Sequence, residues 1–364
     1  MAQMLQTILD EAIKAHASDI HLKVGSPPVF RVHGELTPSS LPPLSPEDLL
    51  DFVHRHVPAR QRREFEETLE ADFSLLDDHR NRFRVNLFMA QGVPAFVFRR
   101  VLPRPPTLQS VNLPPVLSSL LKTPRGLLIV AGATGAGKST TLAALIEELN
   151  QTQSLRIVTI EDPVEYEFVD NRCVISQREI GIDTLGFQAA LKRVMRQDPD
   201  VIMIGEIRDP LSVETALHAA ETGHLVLTTL HASSTAGAVN RLLDMFPPES
   251  RNALRLNLAT NLLAILCQQL APAIRGGVLP VVEILINTPT VRSLLEKNKL
   301  EVLPAAVETG GEDGMQTFNQ ALYQLIKKGQ ITEETGMSLS PNPQQLRMNL
   351  KGIFLDEGRR ILPT

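Results

Sequence analysis

The sequence predicts an α/β fold with two domains, the larger built on a parallel sheet and the smaller of α+β type. The chain has 364 residues, which is too long for one ordinary core and suits two domains. In its second part, short apolar runs alternate with helical segments: "GLLIVAG", "LRIVTIED", "DVIMIGEI" and "LVLTTLH". Continuous apolar strands of this kind are typical of a parallel sheet covered on both faces.

A proline-rich segment, "LPRPPTLQSVNLPP", separates the two parts and has five prolines among 14 residues. Proline fixes φ and cannot continue a helix or a central strand, so this pattern indicates a linker. We therefore place an N-terminal domain at 1–101, a linker at 102–122 and a second domain at 123–364. From about residue 287 the pattern of the second domain is mostly helical.

The N-terminal domain contains strand patterns and one clear hairpin. "SDIHLKV" and "PVFRVHGEL" alternate apolar and polar residues as half-buried strands do. "RFRVNLFMAQGVPAFVFRRV" predicts a hairpin that turns at "QG". Phe83, Val85 and Leu87 would lie on its apolar face, and Arg84 on the opposite one.

The composition is that of a globular protein, with 43% hydrophobic and 21% charged residues and a net charge of −5. A negative charge argues against a dedicated nucleic-acid binder, whose surface is basic. Cys173 and Cys267 lie far apart, which excludes a disulfide framework. The N-terminus reads as an amphipathic helix rather than a signal peptide. The apolar stretch "LATNLLAILCQQLAPAI" is too short and too polar to span a bilayer, and we expect a buried helix there.

The stretch "GATGAGKST" fits the pattern G-x-x-x-x-G-K-[ST], between a predicted strand and a predicted helix. Glycines let backbone N–H groups turn toward a phosphate, and the helix N-terminus adds positive potential. The lysine would reach the β- and γ-phosphates and the serine hydroxyl would bind Mg²⁺. The candidate ATP-binding residues of this phosphate loop are Gly132, Ala133, Thr134, Gly135, Ala136, Gly137, Lys138, Ser139 and Thr140.

Two acidic positions follow predicted strands. Glu161, Asp162 and Glu165 come after "RIVTI", and Glu206 follows "VIMIG". Ligands of open α/β sheets bind beyond the carboxyl ends of the strands, where a carboxylate can orient water or support Mg²⁺. A polar turn that ends at Pro163 is the alternative for the first site.

Two histidines bracket the next strand: His224 precedes "LVLTTL" and His231 follows it. A histidine in a nucleotide-binding fold can sense the γ-phosphate by hydrogen bonding. An ordinary surface or packed histidine is the alternative reading.

These four stretches, in this order, resemble the secretion and pilus ATPases, a family of ring-forming RecA-like motors. The phosphate loop, "EDPVE", "GEIRD" and "GH" with "TLH" match the four motifs of that family. "ASDIHL", "RVHG" and "RFRVN" resemble its N-terminal domain. The resemblance covers nearly the whole chain and implies a RecA-like P-loop NTPase domain behind a PAS-like α+β domain.

The chain is similar to the shorter, twitching-motility branch of this family, which drives pilus retraction. Extension and secretion ATPases carry a four-cysteine zinc module, whereas this chain has two cysteines. "GMQTFNQALYQLIKKGQIT" and "LRMNLKGIF" also resemble that branch. Retraction proteins carry the motif Ala-Ile-Arg-Asn-Leu-Ile-Arg-Glu, but residues 290–297 read "TVRSLLEK", with Glu296 in place of the second arginine. An accessory retraction ATPase is therefore an alternative.

The resemblance also implies roles for single residues. Glu161 would handle the attacking water, Glu206 would be the Walker B residue at Mg²⁺, and Lys138 and His231 would complete the catalytic set. His224 would also contact the γ-phosphate. Arg84 and Arg99 match arginines that the N-terminal domain presents to the nucleotide, so that ATP would sit between the domains and bias their closure.

The partners implied by the resemblance are copies of this chain in a homo-hexamer, the inner-membrane platform protein of the pilus machine and a second retraction ATPase. The chain would be cytoplasmic and held at the inner face of the membrane by these partners. Two other classes stay open: a nucleic-acid translocase, which the acidic charge and the absence of tryptophan disfavour, and a nucleotide sensor or scaffold that does not hydrolyse ATP.

Overall fold

The computed structural model describes residues 2–32, 34–101 and 104–353. They form two compact units. The first comprises the chain up to Arg104 together with Glu165–Glu167, and the second comprises Pro105–Val164 and the chain from Phe168 onward. His33 of the "RVHG" stretch, the first two linker residues and the chain after Ile353 lie outside the described residues.

The first unit is an antiparallel sheet with helices packed against it. Its strands lie in the order β3-β2-β1-β6-β5-β4. The strands are β1 (Asp19–Leu22), β2 (Val29–Val32), β3 (Glu35–Pro38), β4 (Glu70–Leu76), β5 (Arg82–Ala90) and β6 (Val93–Arg100). The helices are α1 (Ala2–Lys14), α2 (Pro46–His56) and α3 (Ala59–Thr68).

The predicted hairpin is confirmed as β5 and β6. Ala90 pairs with Val93, and Gln91 and Gly92 between them have φ of 54° and 81°. Two positive φ values are what a tight hairpin turn with the right-handed strand twist requires. Phe83, Val85 and Leu87 are buried, while Arg84 is exposed on the other face.

The amphipathic N-terminal helix is also confirmed. Leu5, Ile8, Leu9 and Ala12 of α1 are buried in the core of the first unit. Their spacing of three and four residues places them on one side of a helix, which explains how α1 covers the sheet.

The second unit is built on a mostly parallel sheet in the order β13-β12-β7-β11-β10-β8-β9. Every neighbouring pair is parallel except β12 and β13, which pair antiparallel. The strands are β7 (Gly126–Gly132), β8 (Arg156–Glu161), β9 (Val174–Glu179), β10 (Val201–Ile204), β11 (Leu225–Leu230), β12 (Leu262–Pro272) and β13 (Val278–Ile286).

Helices cover both faces of this sheet, as predicted. Leu127 and Ile129 of β7 point into one core, and Leu128 and Val130 point into the other. The helices are α4 (Val116–Leu120), α5 (Lys138–Thr152), α6 (Phe187–Val194), α7 (Pro210–Glu221), α8 (Thr235–Asp244), α9 (Pro248–Asn261), α10 (Pro289–Glu296), α11 (Leu303–Thr309), α12 (Phe318–Lys327), α13 (Glu333–Leu339) and α14 (Pro343–Leu350).

The helical segment expected from about residue 287 is confirmed by α10 to α14. Among the described residues, none of the helices is long and apolar enough to cross a membrane.

The helix predicted for "LATNLLAILCQQLAPAI" is wrong beyond Asn261, where α9 ends and β12 begins. β12 pairs with β7 on one side and β13 on the other, and both of its faces are buried along Ala264–Gln268. A continuous apolar run does not distinguish a helix from a strand that is buried on both faces.

The segment predicted as a linker contains the division between the units, which falls after Arg104. Beyond it, Leu108, Leu113 and Leu117 are buried in the core of the second unit. The later part of the proline-rich segment therefore packs as part of that unit, and the predicted domain limits stay predictions.

Candidate nucleotide-binding site

The phosphate loop joins the end of β7 to the start of α5. Gly132, Gly135 and Gly137 have φ of 156°, 78° and 83°. Side chains other than glycine adopt such values rarely, which explains the three glycines. Within the described chain, α5 has no side-chain cap at its N-terminus. The N–H groups of its first turn are therefore the donors that a helix N-terminus offers to an anion.

Lys138 lies folded over this loop. Its Nζ donates hydrogen bonds to the carbonyl oxygens of Gly132 at 3.0 Å and Ala133 at 2.9 Å. The ammonium is therefore held within the loop, where it can reach a bound phosphate as the motif predicts.

Glu161 is the last residue of β8 and is 7% exposed. Its Oε1 accepts hydrogen bonds from Thr159 Oγ1 at 2.6 Å and Gln177 Nε2 at 3.1 Å. These contacts orient the carboxylate at the carboxyl end of the sheet. A buried and oriented carboxylate can position or deprotonate a water molecule.

Glu206, His231 and Arg208 form a cluster. Glu206 Oε1 lies 3.2 Å from His231 Nε2, and its Oε2 accepts a hydrogen bond of 3.0 Å from Arg208 Nε. Arg208 Nη1 also lies 3.8 Å from Asp162 Oδ2. Asp209, the next residue, caps α7 by accepting from Ser212 N at 2.8 Å.

The sheet brings the phosphate loop, Glu161, Glu206 and His231 to one edge. They lie at the carboxyl ends of β7, β8, β10 and β11, which are neighbouring parallel strands. Gly205, before Glu206, packs closely on β8: a Cβ there would lie 3.2 Å from Ile160 O and 3.6 Å from Glu161 Cα. Glycine at this position lets the segment after β10 pack closely against the end of β8.

His224 lies at the other edge of the sheet. It precedes β11, and its carbonyl accepts from Gly126 N, at the start of β7, at 3.1 Å. Its Nδ1 lies 2.9 Å from Ala219 O. Six residues of β11, Leu225–Leu230, separate it from His231. This chain therefore brings His231, but not His224, to the edge that carries its own phosphate loop.

Arg84 and Arg99 lie in the first unit, opposite each other on β5 and β6. Arg99 Nε donates to Asp19 Oδ1 at 2.8 Å. Burial by itself would raise the pKa of Asp19, but the hydrogen bonds from Arg99 and Ser18 and the charge of Arg99 outweigh it and lower the pKa. Asp19 thus fixes the orientation of the Arg99 guanidinium group.

Three residues that the sequence reading missed hold the loops of the site. Gln268 of β12 binds Ala136 of the phosphate loop and Thr141 of α5. Cys267 Sγ donates to Ala232 O at 3.3 Å, beside His231. Burial, with the charge of Glu283, raises the pKa of Cys267 to about 12, so the thiol keeps its proton for that bond.

Glu283 of β13 is the third of these residues. Its Oε1 accepts from Thr235 N at 2.7 Å and from Thr235 Oγ1 at 2.8 Å, at the start of α8. Polar residues inside an apolar strand run were the available signal. Cys267 and Gln268 could not be interpreted while their run was read as a helix, and Glu283, in the next strand, binds a residue 48 positions away in the sequence.

The oxygen atoms of Ser139 and Glu206 suit Mg²⁺, which prefers hydroxyl, carboxylate and phosphate oxygens. Ser139 lies in the first turn of α5, and the Glu206 side chain is 21% exposed at the same edge of the sheet. The donor set therefore fits the ion that a bound nucleotide would bring.

A glycine loop between strand and helix, with a lysine in it and carboxylates after the neighbouring strands, defines the P-loop nucleotide-binding proteins. The model of the family described as "Type II/IV secretion system protein" matches residues 1–278. The chain belongs to this family.

Two relatives from Pseudomonas aeruginosa match nearly the whole chain. The "Type IV pilus retractation ATPase PilT" is 40% identical over 337 residues, which cover 93% of this chain and 98% of that protein. The "Type IV pilus ATPase PilU" is 40% identical over 347 residues, which cover 95% of this chain and 91% of that protein.

The crystal structure of the pilus retraction motor PilT with bound ADP is similar in fold, with a TM-score of 0.88 and 40% identity. The match covers 94% of this chain and 98% of that one. The resemblance to the secretion and pilus ATPases and the predicted fold class are confirmed. The roles of the individual site residues stay predictions.

Proposed function

We propose that this chain is a ring-forming ATPase that converts the hydrolysis of Mg-ATP into retraction of type IV pili. One observation carries the proposal. The phosphate loop, Glu161, Glu206 and His231 lie at one sheet edge, in a chain that matches PilT over 93% of its length. The reaction is the conversion of ATP and water to ADP and phosphate.

The phosphate loop and the first turn of α5 bind the phosphates of ATP, and Lys138 neutralises their charge. Ser139 and Glu206 would hold Mg²⁺, which would offset the negative charge of the phosphates. Glu161, oriented by Thr159 and Gln177, positions the attacking water or accepts its proton.

His231 senses the γ-phosphate, and it transmits the change to Glu206 through their contact. A bound γ-phosphate offers the imidazole a second acceptor, so hydrolysis changes the contacts of both residues. In the assembled ring, we expect three more side chains to contact the nucleotide: Arg84, Arg99 and His224.

The working assembly is a homo-hexamer in which the contacts made by ATP differ from those made by ADP. A ligand shifts a conformational equilibrium only by its difference in affinity for the two states. Hydrolysis removes the γ-phosphate contacts and reopens one interface of the ring. The partner that receives the motion is the inner-membrane platform protein of the pilus machine, which also places the chain at the inner face of that membrane.

The test is Lys138→Ala, with Lys192→Ala on the exposed side of α6 as the matched control. Loss of the lysine removes the charge that faces the phosphates, so we expect binding of Mg-ATP to weaken at least about tenfold and turnover to fall about a hundredfold or more. Binding is measured by equilibrium dialysis and turnover by phosphate release.

Lys192→Ala should behave as the wild type does. Wild-type turnover in Lys138→Ala would contradict the assigned site. Turnover of the wild type that rises severalfold on addition of DNA would favour a nucleic-acid translocase. Nucleotide binding by the wild type with no turnover would favour a sensor or scaffold.

A further inference from the structure

Gln268 lies beside the phosphate loop, and its side chain binds both the loop and the helix that follows it. β12 pairs in parallel with β7, which sets Gln268 next to Gly132. Its side chain is 3% exposed. Gln268 Nε2 donates to Ala136 O at 2.7 Å, and its Oε1 accepts from Thr141 Oγ1 at 2.7 Å. Both ends of the amide are therefore bound to the loop and to the helix that follows it.

The glycines at the two ends of the motif face the same residue. A Cβ added to Gly132 would lie 2.6 Å from Gln268 O, and one added to Gly137 would lie 2.9 Å from Gln268 Nε2. The first distance involves backbone, which a rotamer change cannot relieve. The loop therefore packs as closely against Gln268 as glycine allows.

The hydrogen bond to the carbonyl oxygen of Ala136 sets the direction of the next N–H group, that of Gly137, which can donate to a phosphate. In a planar trans peptide, the C=O of one residue and the N–H of the next point in opposite directions. With Ala136 O bound to Gln268 Nε2, the N–H of Gly137 points away from Gln268. A phosphate loop binds anions through N–H groups turned toward the ligand, with the carbonyls turned outward.

We propose that Gln268 is a positioning residue that holds the phosphate loop in its phosphate-binding conformation. It acts through the Ala136–Gly137 peptide, and its bond to Thr141 fixes the amide in the orientation that donates to Ala136. This inference rests on the proposed function, because its consequence is affinity for the phosphates of a nucleotide.

The proposal makes a specific kinetic prediction. A loop that must first be reordered weakens binding of substrate and transition state alike, which raises KM and leaves kcat unchanged. Gln268→Glu keeps the acceptor for Thr141 but loses the donor to Ala136. We expect its KM for Mg-ATP and its Kd for ADP to rise about tenfold, as for the loss of one buried hydrogen bond, with kcat within about twofold of wild type.

Gln269→Glu is the matched control, because its side chain lies on the opposite face of β12. Thr141→Val frees the amide of Gln268 to turn and should raise KM in the same direction, whereas Thr141→Ser should restore it. An unchanged KM in Gln268→Glu, or a fall in kcat at unchanged KM, overturns the proposal.

Hydrogen exchange without nucleotide separates this inference from the proposed function. In the full chain, Gln268→Met should speed exchange in the peptide that covers residues 132–141, and Gln269→Met should not. Equal exchange in wild type and Gln268→Met would overturn the positioning role whether or not the protein hydrolyses ATP. Absence of ADP binding by the wild type would overturn the proposed function, while the exchange data still decide the role of Gln268.

Discussion

At the scale of single residues, the site depends on how Glu206 is surrounded. Its two carboxylate oxygens bind different partners, His231 on one side and Arg208 on the other. Arg208 also approaches Asp162, so it connects the segment after β10 with the segment after β8. If a change in the bound nucleotide moves Glu206, Arg208 would therefore move with it and shift the segments after β8 and after β10.

In the first unit, the residue that matters most for a predicted nucleotide contact is Asp19, which is 5% exposed and binds Arg99. Asp19→Asn removes the charge that Arg99 pairs with. We expect it to lower the free energy of unfolding by about 2 kcal/mol at pH 7, the size of a hydrogen bond to a charged group.

The pH dependence has a definite sign. The folded-state pKa of Asp19 is lowered, so its stabilisation is present above the unfolded-state pKa and is lost as the pH falls through the folded-state pKa. Urea unfolding followed by circular dichroism should show a gap between wild type and Asp19→Asn that is largest near pH 7 and closes at the acid end. A gap independent of pH would contradict this account of Asp19.

Asp51→Asn is the control for this experiment. Asp51 forms an ion pair with Arg55 one turn along α2, and the Arg55 side chain is 50% exposed. Such a pair contributes on the order of half a kcal/mol, so its removal should change stability little.

At the scale of secondary-structure elements, one of the C-terminal helices, α12, begins at a well-defined cap. Thr317 and Gln320 form a capping box at the start of α12: Thr317 Oγ1 accepts from Gln320 N at 3.2 Å, and Gln320 Oε1 accepts from Thr317 N at 2.8 Å. Phe318 and Leu322 of the same helix are buried in the core of the second unit. The cap therefore sets where a core helix begins.

Thr317→Ala should lower the free energy of unfolding by about 1 kcal/mol, because it leaves a first-turn N–H without its acceptor. Gln324→Ala, an exposed position within α12, is the control and should be nearly neutral since alanine favours helix. Thermal unfolding followed by circular dichroism compares the two. Equal stability of Thr317→Ala and wild type would mean that packing alone positions α12.

The elements also show what a sequence can and cannot predict. β7, β8, β10 and β11 were predicted because their apolar runs are short and end in polar motifs. β12 was read as a helix since its run is long and β7, the strand that it pairs with in parallel, is distant in sequence. The loop contacts of Gln268, Cys267 and Glu283 depend on that pairing, so they could not be predicted either.

At the scale of the whole molecule, the motifs predicted the family and the edge of the sheet where the site lies. The motif match assigned both His224 and His231 to the γ-phosphate, although the six residues of β11 place His224 at the other edge. His224 is the predicted contact that this chain does not bring to the edge that carries its own phosphate loop. The proposed function therefore requires an assembled ring, and the rate of hydrolysis should depend on assembly.

The most direct measurement is steady-state hydrolysis of Mg-ATP over a wide range of protein concentration, with Glu206→Ala beside the wild type. Exposed Glu214 of α7, changed to alanine, is the control. The account predicts turnover per chain that rises cooperatively with concentration in the wild type and in Glu214→Ala, and falls at least about a hundredfold in Glu206→Ala. Turnover that is independent of concentration, or that persists in Glu206→Ala, would contradict a ring motor built on this site.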